Sequence, residues 1–425
     1  MGAALKIAIA GLGTVGGGVV KTLAQRGREL EARAGRPLEL VAMSARTPGK
    51  PRGFALTNFT SDPLALARSG ADVVVELIGG EDGVARSLVE MALDRGKHVV
   101  TANKALLARH GRNLAERAEG RGLQLKFEAA VAGGVPIVQS LRESLIAYDV
   151  KAIKGILNGT CNYILTRMEA TGLGFAKVLK DAQALGFAEA DPGLDVGGGD
   201  TANKLALLSS LGFGVAPDVS RIKMQGIEQI TPADIHFASE FGFRIKLLGV
   251  ARRSGPGVEQ MVHPAMVRAR SPLANVDGAA NGVLVDAAEA GPFFFSGHGA
   301  GAAPTAQAVI ADLIEIARGT LFAPVFGRPA HSLTSAAPGP ADPTPCPWYL
   351  RFEVLDIPGV LAEIAGHLAC SGVSIESMIQ RGRDHGGPVA IVMITHEAPE
   401  GQVEHALKAI SASDKVRPRP CMIPM

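Results

Sequence analysis

Apolar residues in the first third of the chain fall in short unbroken runs separated by helical patterns. Lys6 leads into Ile7–Ala10, then the turn Gly11-Leu12-Gly13-Thr14-Val15-Gly16, then a helical stretch. Residues 71–79, 97–111 and 123–137 each contain a further run of this kind, and Lys104 follows the second of them at a strand end. Unbroken runs suit strands buried on both faces, and their alternation with helices predicts a doubly wound parallel sheet. Functional residues then belong at the carboxyl ends of the strands.

The pattern changes after residue 150. VKAIKGILNGTCNYILTRM opens as a strand, passes through Asn158-Gly159-Thr160 and becomes helical. Met224–Ile230, Phe243–Arg253 and GVEQMVHPAMV read as strands, and DTANKLALLSSLG reads as a helix starting near Asp200. Glycines at 297, 299 and 301 precede a long helix from about Thr305, which is expected to return to the first unit. Residues 328–347 are rich in Pro, Ala and Ser and read as a linker. The remainder alternates as β-α-β-β-α, a small ferredoxin-like module. The predicted class is α/β, divided into 1–135 (dinucleotide-binding), 136–300 (an α+β substrate domain), 301–327 (the returning helix), 328–347 (the linker) and 348–425 (the C-terminal module).

Composition narrows the function classes. A chain of 425 residues with 47% hydrophobic content holds two or three well-filled domains. A net charge of +2 and 4% aromatic residues give no case for nucleic acid or a membrane surface. No apolar run is long enough to span a bilayer, and the chain enters a core strand almost at once, so no signal peptide is expected. The four cysteines (Cys161, Cys346, Cys370, Cys421) show no metal spacing. A reduced, cytoplasmic enzyme is the simplest account.

Two segments carry the chemistry. In the first turn, Gly11 makes the bend, Gly13 lets a pyrophosphate approach, Gly16 lets helix and strand pack, and the backbone of Thr14 and Val15 faces the phosphates. After the second strand come Arg46 and Lys50, where an NAD-selective site carries an acid; a guanidinium there favours NADP, although Arg46 also reads as an ordinary loop arginine. Gly79 and Gly80 suit a loop near the nicotinamide ribose.

The second segment, AQALGFAEADPGLDVGGGDTANK, runs from Ala182 to Lys204 and sets Glu189, Asp191, Asp195 and Asp200 among glycines. Such a cluster suits a small substrate with an ammonium group and a hydroxyl. Asp200 and Lys204 sit four apart, so they share a helix face and the carboxylate can orient the ammonium. The plainer reading makes Asp200 an N-cap and Lys204 a solvated first-turn residue. Cys161 is the one thiol in the middle unit that would serve a rival, aldehyde-oxidising chemistry, and no partner histidine is evident. A ligand-sensing protein with an inactive dehydrogenase body is a second rival.

GLGTVG, VTANKA, EAAVAGGVPI, NGTCNYIL, GAGAAPTA and above all the Ala182–Lys204 segment resemble homoserine dehydrogenases along nearly the whole chain. The C-terminal module resembles an ACT domain. The resemblance implies reversible reduction of L-aspartate 4-semialdehyde to L-homoserine with NADP or NAD, in threonine and methionine biosynthesis. It implies Lys204 as proton donor beside Asp200, with Lys104 as a second lysine that also competes for that role. Glu189, Asp195, Asp200, Gly186 and Thr160 would bind substrate, and Gly186, Lys104 and Gly301 would approach the cofactor. Glu128, Val131, Gly133 and Val135 would hold a monovalent cation, sodium, mostly through backbone carbonyls. Threonine is the implied effector, and a homodimer or homotetramer the implied assembly.

Overall fold

The computed structural model describes every residue except 1, 48, 57, 256, 320–322, 336–343, 382–387 and 418–419, so the middle of the expected linker lies outside the described residues. The first unit runs β1 (Leu5–Ala10), α1 (Thr14–Ala34), β2 (Leu38–Ser44), β3 (Phe59–Thr60), α2 (Leu64–Arg68), β4 (Val73–Glu76), α3 (Val84–Asp94), β5 (His98–Thr101), α4 (Lys104–Glu119), β6 (Leu125–Lys126) and α5 (Ile137–Gln139). Its sheet has the order β3-β2-β1-β4-β5-β6, and every pair is parallel. The order reverses between β1 and β4, which opens a crevice at their carboxyl ends.

Alternate residues on these strands feed two cores. Leu5, Ile7, Ile9, Val73 and Val75 pack under α1, whereas Ala8, Ala10, Val74 and Val99 pack under the helices of the opposite face. That is why the runs show no polar alternation.

The second unit contains β7 (Val150–Ile156), α6 (Gly159–Thr171), α7 (Phe175–Ala184), α8 (Gly193–Val196), α9 (Gly199–Phe213), β8 (Lys223–Met224), α10 (Pro232–Glu240), β9 (Phe243–Ser254), β10 (Gly257–Arg268), β11 (Ala280–Ala287), β12 (Gly291–His298) and α11 (Ala302–Arg318). Its sheet is ordered β12-β11-β7-β9-β10-β8 and is antiparallel apart from the β10–β8 pair. Helix α11 leaves this sheet and packs on α1, where a Cβ at Gly18 would press on the Ala302 carbonyl at 2.9 Å. Asp312 of α11 accepts the Glu128 backbone N–H at 3.0 Å, and Glu315 receives Lys126 at 2.6 Å.

Three local expectations change. The strand expected over 123–137 is only Leu125–Lys126, because the chain turns into a 3₁₀ helix at Glu128–Ala130 and then passes through left-handed Ala132 and Gly133 (φ 53° and 49°). The strand expected over 224–230 shrinks to Lys223–Met224, and β11 and β12 were not foreseen at all. The last two alternate weakly and carry several glycines, so their pairing rests on neighbours remote in sequence.

The third unit is β13 (Trp348–Leu355), α12 (Val360–Cys370), β14 (Ile375–Arg381), β15 (Pro388–Thr395), α13 (Glu400–Ile410) and β16 (Cys421–Pro424). Its antiparallel order is β14-β15-β13-β16, so the chain closes with a strand beyond the expected five elements. After α12, Val373 N–H donates to the Leu368 carbonyl at 2.9 Å, the closure of a Schellman stop at Gly372. Among the described residues no helix is long and apolar enough to cross a membrane.

A buried ion pair docks this unit on the second. Asp234, fully buried in the first turn of α10, accepts Arg351 Nε at 2.6 Å, the Tyr349 hydroxyl at 3.0 Å and the Thr231 N–H at 2.8 Å. Arg351→Met strands the carboxylate and lowers the unfolding free energy by about 3 kcal/mol. The midpoint of the first urea transition reads this, and an unmoved midpoint would show that the pair contributes nothing.

Candidate active site

The glycine turn after β1 has the geometry a dinucleotide requires. Gly11 lies at φ 98°, and a Cβ there would overlap the Leu77 carbonyl beyond β4. A Cβ at Gly16 would overlap the Gly11 carbonyl, whereas one at Gly13 meets nothing within 4 Å. Helix α1 therefore starts at Thr14 and Val15 over an open surface, and no side chain caps it. Its first N–H groups are left for an anion. Ser44 at the end of β2 accepts the Gly11 N–H at 2.9 Å, which brings the strand end bearing Arg46 to the same crevice. Arg46 and Lys50 are exposed there, and among the described residues neither pairs with a carboxylate. Gly301 starts α11 at φ 116°, with no side-chain cap.

A second group fixes the loop beyond β4. Glu76 is fully buried at the strand end. One of its oxygens accepts the N–H groups of Ile78 (2.7 Å) and Gly79 (3.0 Å), and the other accepts the Thr101 hydroxyl at 2.6 Å. Thr101 in turn accepts the Asn103 N–H, and Asn103 caps α4 while donating to the Gly80 carbonyl at 2.7 Å. This chain sets the Gly79–Gly80 loop and aims Lys104, the first residue of α4. Sequence reading missed Glu76, Thr101 and Asn103, because each looks like an ordinary strand-end or cap residue.

Asp200 is the junction of the two units. It lies in the first turn of α9, with Gly198 and not Asp200 as the cap residue, and it is 5% exposed. Oδ2 receives Lys204 Nζ at 2.7 Å, and Oδ1 receives Lys104 Nζ at 3.1 Å across the boundary from α4. Lys204 also donates to the Leu157 carbonyl at 2.6 Å. Burial works to raise the Asp200 carboxyl, but the two ammonium groups and the hydrogen bonds from Lys204 and Asn158 outweigh it and hold it below its ordinary value. Asp195 stands alongside: its Oδ1 accepts Asn158 Nδ2 at 2.8 Å, and its Oδ2 lies 3.3 Å from the Thr160 hydroxyl. Lysine donors and carboxylate acceptors thus converge where a polar substrate can meet a cofactor bound in the crevice.

Not every expected residue joins them. Glu189 and Gly186 lie on the exposed segment between α7 and α8, and among the described residues the Glu189 carboxylate forms no ion pair. Leu185 and Phe187 of that segment and Leu194 of α8 are also exposed. Glu128 is buried, but its two carboxylate oxygens accept the N–H groups of Val138 (3.1 Å) and Gln139 (2.7 Å), so its side chain caps α5. Burial, against these two hydrogen bonds, raises it to about 7. Val131, Gly133 and Val135 continue the same loop. Cys161 is fully buried with its thiol on the Asp195 carbonyl at 3.2 Å, and burial followed by the nearby Asp195 and Asp200 charges pushes the thiol well up. A thiol sealed in the core and donating to a carbonyl is out of a substrate's reach, which counts against the aldehyde-oxidising alternative.

Comparison with known proteins agrees with this geometry. Residues 11–128 match the family model for the NAD-binding domain of homoserine dehydrogenase, 136–314 the homoserine dehydrogenase model and 348–414 the ACT domain model. The homoserine dehydrogenase of Neisseria gonorrhoeae is 44% identical over 99% of this chain and 98% of its own. That of Pseudomonas aeruginosa is 41% identical over 97% and 96%. The crystal structure of a homoserine dehydrogenase from Thiobacillus denitrificans superposes with a TM-score of 0.93 at 40% identity, covering 99% of this chain and 98% of that one. The dinucleotide crevice and the ferredoxin-like C-terminal module fall where these models match, and relatives this similar over nearly their full lengths place the chain in the homoserine dehydrogenase family.

Proposed function

We propose that this oxidoreductase reduces L-aspartate 4-semialdehyde to L-homoserine with Lys204 as the proton donor. The observation that carries the assignment is the sharing of Asp200 between Lys204 and Lys104. A bound nicotinamide cofactor supplies or accepts the hydride. Lys204, spent on Asp200 and Leu157 through two of its hydrogen bonds, keeps a third N–H for the substrate oxygen. Its ammonium stabilises the alkoxide as charge develops there and then protonates it. Lys104, more exposed and held by one carboxylate oxygen, orients the substrate. Asp195 and Asp200 receive the substrate ammonium, Thr160 stands beside them, and Glu189 with Gly186 reaches in from the exposed segment.

NADP is the cofactor this reading favours, with Arg46 and Lys50 meeting the 2′-phosphate, Gly11, Gly13, Thr14, Val15 and Gly16 the pyrophosphate, and Gly79, Gly80 and Gly301 the nicotinamide side. A sodium ion fits the carbonyls of Glu128, Val131, Gly133 and Val135. In support, the left-handed pair Ala132–Gly133 folds a buried loop in which, among the described residues, no N–H donates to the Val131 or Gly133 carbonyl. The ACT unit is read as a threonine sensor, and the assembly as a homodimer or homotetramer through the second unit.

NADP⁺ reduction is expected with L-homoserine and not with L-serine or L-threonine, and added threonine should slow it. Arg46→Asp should turn the NADP⁺-to-NAD⁺ ratio of kcat/KM toward NAD⁺; an unchanged ratio would remove Arg46 as the reader. Lys204→Ala lowers kcat by about a thousandfold while NADPH binding holds, and Lys104→Ala raises KM for homoserine more than it lowers kcat. The reverse pattern would transfer the donor role to Lys104. Exchanging sodium for tetramethylammonium should lower the melting temperature, and an identical melt in both would count against the cation.

A further inference from the structure

The amide of Asn158 lies between the two carboxylates that matter most. Asn158 ends the connection from β7 to α6 and is 5% exposed. Its Nδ2 donates to Asp195 Oδ1 and to Asp200 Oδ2, both at 2.8 Å. Its Oδ1 accepts the Cys161 N–H at 2.8 Å and so caps α6. The partners fix the orientation of the amide, since the flipped form would set its oxygen against two anions. Both amide hydrogens are therefore spent on carboxylates, and the oxygen on a helix end. A neutral group with two donors screens the repulsion between Asp195 and Asp200 and adds no charge of its own. The preceding residue, Leu157, holds Lys204 through its carbonyl. Two consecutive residues thus fix the proton donor and both acids from one strand end.

We propose that Asn158 is a positioning residue for the reaction: its amide ties Asp195 to Asp200 and holds the acid pair in register with Lys204. This rests on the roles given above to Lys204, Asp195 and Asp200. Without the amide the two carboxylates part, and Asp200 keeps only the lysines to orient it. The substrate ammonium then binds in a shifted position, and the aldehyde carbon leaves the line of hydride transfer.

Serine and aspartate cap a helix about as well as asparagine, so substitution separates the two jobs of this side chain. Asn158→Ser keeps a cap acceptor and loses both donors to the carboxylates. Asn158→Asp keeps the shape and the cap but brings a third anion. Asn158→Ala loses cap and bridge together. We expect Asn158→Ser to melt near the wild-type temperature and bind NADP⁺ normally. Its kcat with homoserine should fall about a hundredfold, and that of Asn158→Asp further still. A crystal structure of Asn158→Ser should show the Asp195 and Asp200 carboxylates moved apart. If Asn158→Ser and Asn158→Asp turn over like wild type while Asn158→Ala only loses stability, the residue is a helix cap and the proposal falls. Unmoved carboxylates in the Asn158→Ser crystal would overturn it too, whatever the substrate proves to be. An inactive wild type would instead sink the proposed reaction, and the crystal comparison would still decide the bridge.

Discussion

One buried carboxylate holds the lysine–carboxylate cluster together. Asp200 takes an ammonium from its own helix on one oxygen and an ammonium from the nucleotide-binding unit on the other. Buried without them, it would take up a proton and lose its grip on both. Lys204, itself largely buried, has a matching need for an anion, and Lys104 reaches the same carboxylate from a more exposed position. The interaction therefore sets the position of Lys204 relative to Lys104, and through Lys104 the position of the substrate unit relative to the cofactor crevice. The proposed hydride transfer demands such a constraint, because on that reading the cofactor and the substrate are held by different units.

The same device recurs within the first unit and at two junctions between units. Glu76 fixes the loop beyond β4 by accepting two backbone N–H groups and a hydroxyl. Asp312 carries α11 to Glu128, and burial, the largest cause, pushes its carboxyl well up. Asp234 docks the third unit through Arg351 and Tyr349. Each pays a desolvation cost that apolar packing would not, and each gains direction in return, because a hydrogen-bonded carboxylate accepts its partners in few orientations. Asp234 also lies on α10, which packs against α6, the helix capped by Asn158.

Local pattern carried much of this. Unbroken apolar runs, the Gly11–Gly16 turn and the spacing of Asp200 and Lys204 report on segments of a few residues, where backbone sterics and helix period act directly. The first sheet, α9 and most of the third unit were legible for that reason. β11, β12 and β16 were not, since strands with weak alternation owe their pairing to partners far away in the chain. Asn158 and Glu76 were missed because a cap residue and a strand-end glutamate look alike whether or not they bridge anything.

The sequence by itself determined which chemistry is present: a phosphate-binding turn, a lysine with its carboxylate four residues away, and a thiol without a base. These depend on covalent neighbours and on helical or turn geometry. Only the tertiary structure decided that Lys104 shares Asp200 with Lys204, that Glu128 spends its side chain on a helix end, and that Cys161 is sealed in the core. Those outcomes follow from burial and from hydrogen-bond partners brought together over long stretches of chain, and local pattern carries no record of either.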